Sequence, residues 1–253
     1  MLFDCVVCGI DPGPESTEAA RQAARLAAPN GRLILVAIVE TEVAVHAGWA
    51  AGEVLDQLKN DSVQALETAT RELEAGRPVE ARLLEGAAAA RFVETLRDEG
   101  ATLAVVGTHG RSRVGGILLG SFSTTVLHDA PCGVLVSRPT AADSFPARIV
   151  TGTDGSNEGE TAYAIAAALR DRFGSTLEIV TSSSGKSVDL AAVTAAHPEV
   201  VVDERKPVDA LVGRSGDADL LVVGSRGLHG LRALGSVSER IAHEARCSVL
   251  VVR

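Results

Sequence analysis

A glycine-rich stretch over residues 107–121 has the residue types and spacing of a phosphate-binding loop. Its sequence, GTHGRSRVGGILLGS, places Gly107 and Gly110 three residues apart, and nine further residues precede Gly120 and Ser121. Glycines leave room for backbone N–H groups to converge on an anion. A helix that begins at Ser121 adds a hydroxyl and the positive end of its dipole. The stretch therefore predicts binding of a phosphate group.

The spacing differs from the two commonest phosphate-binding motifs. No Lys-Ser/Thr pair follows the glycines, which excludes a Walker loop. The stretch follows the fourth predicted strand and lacks G-x-G-x-x-G, which excludes the dinucleotide fingerprint. An ordinary β–α connection, in which the glycines only form turns, remains the alternative explanation.

The chain repeats itself, and the repeat includes this loop. In the blocks ATLAVVGTHG and ADLLVVGSRG six of ten residues are identical, and in HDAPCGVLVSR and HEARCSVLVVR seven of eleven. The offset between copies falls from 143 to 117 to 115, so the second copy is 26 residues shorter in its middle and two shorter in its loop. Matched blocks in one order indicate a duplicated domain. The paired blocks are 3–11 with 147–154, 101–110 with 218–227, and 128–138 with 243–253.

Strand and helix patterns alternate in each copy, which predicts an α/β fold with a doubly wound, five-stranded parallel sheet in each of two tandem domains. We expect the first domain at 1–138, a linker at 139–146 and a shortened second domain at 147–253, with a short helix near 188–196. Ser16 is the expected N-cap of the first helix, and Gly76 and Gly100 are expected helix stops. In the first copy the predicted strands are 3–10, 33–39, 79–84, 102–107 and 133–137, and the predicted helices are 16–28, 52–75, 88–98 and 121–129.

Several of these features together resemble the universal stress protein family in its ATP-binding form. They are the Gly-x-x-Gly, nine residues, Gly-Ser pattern, the Asp at the end of the first strand and the closing H-x-A-x-C-x-V-L-V block. The resemblance covers essentially the whole chain, twice. It implies a Rossmann-like fold of the adenine nucleotide alpha hydrolase type, with strand order 3-2-1-4-5. It also implies binding of ATP, with Mg²⁺ as a possible companion, and a regulatory role in a stress response.

The resemblance also assigns site residues. Asp11 and Ile38 are expected to flank the adenine, with Gly9 and Ile10 at the border of the same pocket. His109, Arg111 and Arg113 are expected to offset phosphate charge. The other expected nucleotide-binding residues are Gly107, Gly110, Gly120, Ser121, Phe122 and Ser123 in the first copy, and Asp154, Gly224, Gly227, Gly235 and Ser236 in the second.

Two departures from the family pattern distinguish the copies. The first copy has Pro12 and Pro14 after Asp11, where the family usually has Asp-Gly-Ser, and these prolines stiffen the turn. The second copy keeps Asp-Gly-Ser, but Gly227 and Gly235 enclose seven residues instead of nine. We therefore expect the second site to be occupied by nucleotide less readily than the first. A purely turn-forming aspartate is the alternative at both strand ends.

Composition excludes some partners. The net charge is −9 and aromatic residues make up 3% of the chain, which disfavours binding to nucleic acid or to an anionic membrane. No apolar run approaches the ~18 residues of a membrane span, and we expect a cytoplasmic protein. The four cysteines lie in apolar, β-prone runs and are expected to be buried thiols, although Cys5 and Cys8 form a C-x-x-C that leaves redox chemistry as the alternative.

The remaining expectations concern partners and catalysis. The last strands, 133–137 and 248–252, are expected to pair within one chain or in a homodimer, and the downstream protein partner is unknown. Efficient hydrolysis is not expected, because no Walker lysine, positioned base or arginine finger is present. Two alternatives stay open: a nucleotide-free scaffold of the same fold, and a slow ATPase or nucleotidyl-transfer enzyme.

Overall fold

The computed structural model describes residues 3–41, 51–73, 78–108, 119–140, 145–184, 188–225 and 236–253. Within these ranges the chain forms two compact units, one up to Ser137 and the other from Arg138 onward. The buried guanidinium of Arg138 donates to the backbone carbonyls of Ala242 and Cys247 in the second unit.

The first unit is a parallel sheet of five strands in the order β3-β2-β1-β4-β5. Its central strands are apolar and buried on both faces, as expected for a parallel sheet covered by helices. Its elements, in chain order, are β1 (Cys5–Ile10), α1 (Glu15–Leu26), β2 (Arg32–Val39), α2 (Ala51–Leu73), β3 (Glu80–Glu85), α3 (Ala88–Asp98), β4 (Leu103–Val106), α4 (Ser121–Asp129) and β5 (Gly133–Val136).

The second unit repeats this topology, with strand order β8-β7-β6-β9-β10. The helix that follows β7 has seven residues, where α2 of the first unit has 23. This difference accounts for most of the shortening in the sequence. The elements are β6 (Arg148–Gly152), α5 (Asn157–Phe173), β7 (Thr176–Ser182), α6 (Leu190–Ala196), β8 (Val201–Asp203), α7 (Pro207–Val212), β9 (Leu220–Gly224), α8 (Ser236–Glu244) and β10 (Ser248–Val252).

The predicted fold class is confirmed: two tandem α/β domains each carry a parallel sheet in the 3-2-1-4-5 order. The predicted N-cap of the first helix is wrong. Helix α1 begins at Glu15 with Pro14 at the cap position, because the Ser16 hydroxyl bonds to Asp11 instead of to the helix. Gly100 does follow a helix end, with a φ of +60° that favours glycine, and Gly76 lies outside the described residues.

Burial explains the chemistry of the cysteines. All four are free and buried, which confirms the expectation of core thiols. Burial raises the pKa of the Cys8 thiol far above its usual value, and the nearby negative charge of Asp11 raises it further. Burial also raises the pKa of Cys247, to about 12. In the described part of the chain, no helix is both long and apolar enough to cross a membrane.

We predict that none of the four thiols reacts rapidly with Ellman's reagent at pH 8 in the native protein. The reason is that the thiolate is the reactive form and burial disfavours it. All four should react in 6 M guanidinium chloride, which serves as the control. Rapid native reaction of two thiols, or a Cys5–Cys8 disulfide by mass spectrometry, would restore the redox alternative.

Candidate functional site

The first unit has a cavity of about 200 Å³ at the carboxyl ends of its central strands. Strand β1 contributes Gly9 and Ile10, β2 contributes Ile38, and Gly107 follows β4. Strand β1 pairs with β2 on one side and with β4 on the other. The connections therefore diverge at this point, where ligands bind in open α/β sheets.

Asp11 lies at the cavity and also holds the turn that follows β1. Its Oδ1 accepts hydrogen bonds from the Gly13 N–H (2.8 Å) and from the Ser16 hydroxyl (2.7 Å). The Ser16 hydroxyl in turn accepts from the Asp11 N–H at 2.8 Å. Among the described residues no donor contacts Oδ2. Asp11 therefore fills the role of a turn aspartate and still has one carboxylate oxygen for another partner.

The two ends of the glycine-rich stretch are joined by hydrogen bonds within the protein. The Gly120 N–H donates to the Thr108 carbonyl at 2.8 Å, and the Ser123 hydroxyl donates to the Gly107 carbonyl at 2.7 Å. These bonds bring the start of α4 to the end of β4. The N–H of Gly120 is consequently engaged, in contrast to the expectation that it is open to an anion.

The start of α4 borders the cavity. Phe122 and Ser123, in its first turn, line the cavity, while Ser121 is exposed. Within the described residues no side chain caps this helix, and its first turn, where the positive end of the helix dipole lies, contributes to the cavity wall. This arrangement suits a negatively charged group placed next to the cavity.

Apolar groups form part of the remaining wall. The Phe122 ring lines the cavity and packs against the buried Phe92 ring behind it, with centroids 5.4 Å apart. Val36 and Leu58 add aliphatic surface. Such surface is suited to the flat, apolar faces of a heterocyclic base.

The second unit has a corresponding cavity of about 310 Å³ with a different wall. Ser182 stands at the position of Ile38, because Val36 and Val180 occupy the same register beside Gly9 and Gly152. The Ser182 hydroxyl donates to the Arg205 carbonyl at 2.6 Å. The place expected to hold a base in the first copy is therefore polar in the second.

Hydrogen bonds within the protein also satisfy the Asp154 turn. Asp154 Oδ1 accepts from both the N–H and the hydroxyl of Ser156, and Ser156 caps α5 by accepting from the Gly159 N–H at 3.2 Å. Gly155 has a φ of +77°, a conformation that proline at the matching position 12 cannot adopt. The two turns therefore differ in detail although both begin with an aspartate.

Equivalent glycines have different neighbours in the two copies. A Cβ on Gly224 would lie 2.3 Å from the backbone oxygen of Glu158, and a Cβ on Gly152 would lie 2.7 Å from Leu211. On Gly107 the nearest atoms would be 3.9 Å away, and on Gly9 they would be 3.4 Å away. A Cβ would therefore clash at both glycines of the second copy, with a backbone atom at Gly224 and with the end of a side chain at Gly152. Among the described residues, a Cβ on either glycine of the first copy would make only ordinary van der Waals contacts.

The structure brings together seven of the predicted residues around the first cavity: Gly9, Ile10, Asp11, Ile38, Gly107, Phe122 and Ser123. Asp154 and Gly224 line the second cavity, and Ser236 is the first residue of α8. Five predicted residues, His109, Gly110, Arg111, Gly227 and Gly235, lie outside the described residues, as does Arg113.

Sequence reasoning missed Glu15, which lines the first cavity and accepts a hydrogen bond from the Thr108 hydroxyl at 2.6 Å. A signal was present, because Glu158 follows Asp154 by the same four residues by which Glu15 follows Asp11. Both glutamates line their cavities. Both glutamates lie in the first turn of a helix, where an acidic residue is already explained by its favourable interaction with the helix dipole.

Comparison with known proteins decides the family. A sequence model of the universal stress protein family matches residues 3–138 and 184–253. The chain belongs to this family. Universal stress protein Rv2623 of Mycobacterium tuberculosis is 32% identical over 292 aligned positions, which cover 98% of this chain and 96% of that protein. Universal stress protein Rv2005c of the same organism is 31% identical over a similar extent.

Solved structures show the same fold across the whole chain. A universal stress protein from Archaeoglobus fulgidus matches 98% of this chain and 96% of its own length, with a TM-score of 0.73 and 21% identity. A Pseudomonas aeruginosa protein described as functionally unknown matches 99% of this chain and 92% of its own, also with a TM-score of 0.73, at 16% identity. At these identities the likeness concerns the fold.

Because Gly107 and Gly224 have different surroundings, we predict that replacing each with alanine changes the free energy of unfolding by different amounts. Gly224→Ala should lower the free energy of unfolding by about 2–3 kcal/mol, because the new methyl group overlaps a backbone oxygen that cannot move alone. Gly107→Ala should change it by less than about 0.5 kcal/mol, because the methyl group clashes with no atom of the described residues. Urea titration followed by circular dichroism measures both. Equal costs at the two positions would show that packing also requires Gly107.

Proposed function

We propose that this universal stress protein binds one adenine nucleotide per chain in the first cavity and acts as a regulatory factor in a stress response. ATP is the nucleotide that the glycine pattern favours. Asp11 and Ile38 contact the base and ribose, and the phosphates extend toward the start of α4. Mg²⁺, where present, accompanies the phosphates.

The observation that supports this proposal most directly is that no atom of the described residues would clash with a Cβ on Gly9 or Gly107, although both glycines line the cavity. Glycine has an entropic cost in a folded chain and is expected where a close approach or a special conformation requires it. Neither glycine has a positive φ, and neither is crowded by a residue that the structure describes. A ligand that approaches the backbone at these points supplies the missing reason.

The size and walls of the cavity suit part of a nucleotide. About 200 Å³ is less than the ~300–1,000 Å³ of typical pockets that enclose a whole ligand. The base and ribose fill such a volume, and the phosphates remain outside it beside the first turn of α4. Placement at a helix N-terminus is favourable for a phosphate.

The proposal is for binding and not for efficient turnover. Among the described residues that line the cavity there is no lysine, arginine or histidine to stabilise charge that develops on a transferred phosphoryl group. A nucleotide-free scaffold is the second candidate. The internal hydrogen bonds of Asp11 and Gly120 favour that candidate, because they already satisfy polar groups that a nucleotide would otherwise engage.

Two equivalent substitutions separate binding from turn formation. We predict that Asp11→Ala weakens ATP binding at least tenfold, because it removes the carboxylate oxygen that faces the ligand. Asp154→Ala should leave binding within about twofold, because the second cavity is not the proposed site. Isothermal titration calorimetry with Mg·ATP measures the affinity and the number of sites, which should be one per chain.

Asp154→Ala is the control for a general effect on folding. Each aspartate accepts hydrogen bonds that hold its own turn, so each variant loses comparable hydrogen bonds. Equal loss of affinity in both variants, or two equivalent sites per chain, would contradict the assignment to the first cavity. If the wild-type protein binds no nucleotide at millimolar concentration, the nucleotide-free scaffold is the function that remains. Steady phosphate release that Asp11→Ala abolishes would favour the slow ATPase.

A further inference from the structure

Glu15 brings a negative charge to the start of the glycine-rich stretch. It is half-buried, and its Oε2 accepts a hydrogen bond from the Thr108 hydroxyl at 2.6 Å. The same oxygen lies 3.9 Å from the point that a Cβ on Gly107 would occupy. The carboxylate is therefore held beside the residues that follow β4, and a ligand that passes Gly107 toward α4 passes close to it.

A neighbouring glutamate on the same helix shows that this orientation is specific. Glu18 accepts hydrogen bonds from Arg21 at 3.1 Å and from Gln22 at 2.8 Å, both on α1. A first-turn acid that only stabilises the helix dipole is expected to face solvent or its own helix in this way. Glu15 instead accepts a hydrogen bond from a residue 93 positions away, just after β4.

The charge of Glu15 is not balanced within the described wall. Asp11 and Glu40 also line the cavity, and the described lining residues include no lysine, arginine or histidine. The chain as a whole carries a net charge of −9. A phosphate that lies near Glu15 is therefore repelled by its carboxylate, and the partly buried position of this group limits screening by solvent.

We propose that Glu15 tunes the charge preference of the nucleotide site, weakening the binding of free ATP relative to adenine ligands that carry fewer negative charges. The inference rests on the proposed function and names a specificity-determining residue for it. Adenosine and AMP place little or no charge beside Glu15. Free ATP carries about four negative charges and binds well only when a divalent cation neutralises part of them.

The test compares ligands of rising charge on three proteins. Affinities for adenosine, AMP, ADP and ATP are measured by calorimetry, without divalent cations at low ionic strength, for the wild type, Glu15→Gln and Glu18→Gln. Glutamine keeps the size of the side chain and can still accept the Thr108 hydrogen bond. Glu18→Gln removes the same charge from the same helix, away from the cavity.

We expect Glu15→Gln to raise ATP affinity about tenfold while adenosine affinity stays within about twofold, and Glu18→Gln to change neither. Raising the salt concentration should increase the ATP affinity of the wild type and should affect Glu15→Gln less, because salt screens the repulsion. A purely structural role of Glu15 would shift all ligands together and leave this salt response unchanged.

Two results would overturn the inference in distinguishable ways. If all three proteins show the same ratio of adenosine affinity to ATP affinity, Glu15 does not discriminate charge, and the proposed nucleotide site stands without it. If the wild type binds no adenine ligand, the proposed function fails and the inference fails with it. Melting temperatures of the variants, measured without ligand, establish that each is folded.

Discussion

The reversal of strand order beside β1 is the constraint on which both cavities depend. From β1 the chain passes through α1 to β2 on one side, and β4 is added later on the other side. Helices that leave neighbouring strands on opposite faces of a sheet cannot close the space between them. A crevice therefore forms at the carboxyl ends of β1 and β4, and the residues that follow these strands become its wall. The second domain repeats the reversal with β6 and β9, and it repeats the crevice.

The two copies share this topology, but different contacts line their cavities. In the second copy the start of α5 packs against Gly224, and Leu211 packs against Gly152. Hydroxyl groups such as that of Ser182 bond to the backbone where the first copy presents aliphatic surface. A duplicated domain allows such divergence, because one copy can keep a binding role while the other is free to gain internal contacts. The proposed single nucleotide per chain follows from this asymmetry.

The structural role of Asp11 is compatible with the binding role proposed for it. A carboxylate has two oxygens, and the turn after β1 uses one of them. The hydrogen bonds from Gly13 and Ser16 fix the orientation of the group before any ligand arrives. A fixed orientation reduces the entropic cost of binding. The turn that prolines 12 and 14 stiffen is, in this view, a support for the site.

Much of this architecture was accessible from the sequence, because local patterns repeat physical rules. Apolar β-prone runs that alternate with alanine- and leucine-rich segments specify parallel strands and covering helices. The repeated blocks specified two domains, and the family resemblance specified the strand order. The prediction failed at Ser16, where a residue typical of an N-cap bonds to Asp11 instead, since a hydroxyl at the start of a helix has more than one nearby partner.

The tertiary structure alone decided what surrounds each glycine and each carboxylate. Gly107 and Gly224 occupy the same place in the repeat, yet only the fold shows that Glu158 crowds one of them while no described residue crowds the other. Glu15 resembles an ordinary helix-start acid until its contact with Thr108, 93 residues away, is seen. The physical reason is that strand and helix formation depends on neighbours along the chain. The character of a cavity depends on residues that only folding brings within a few ångströms.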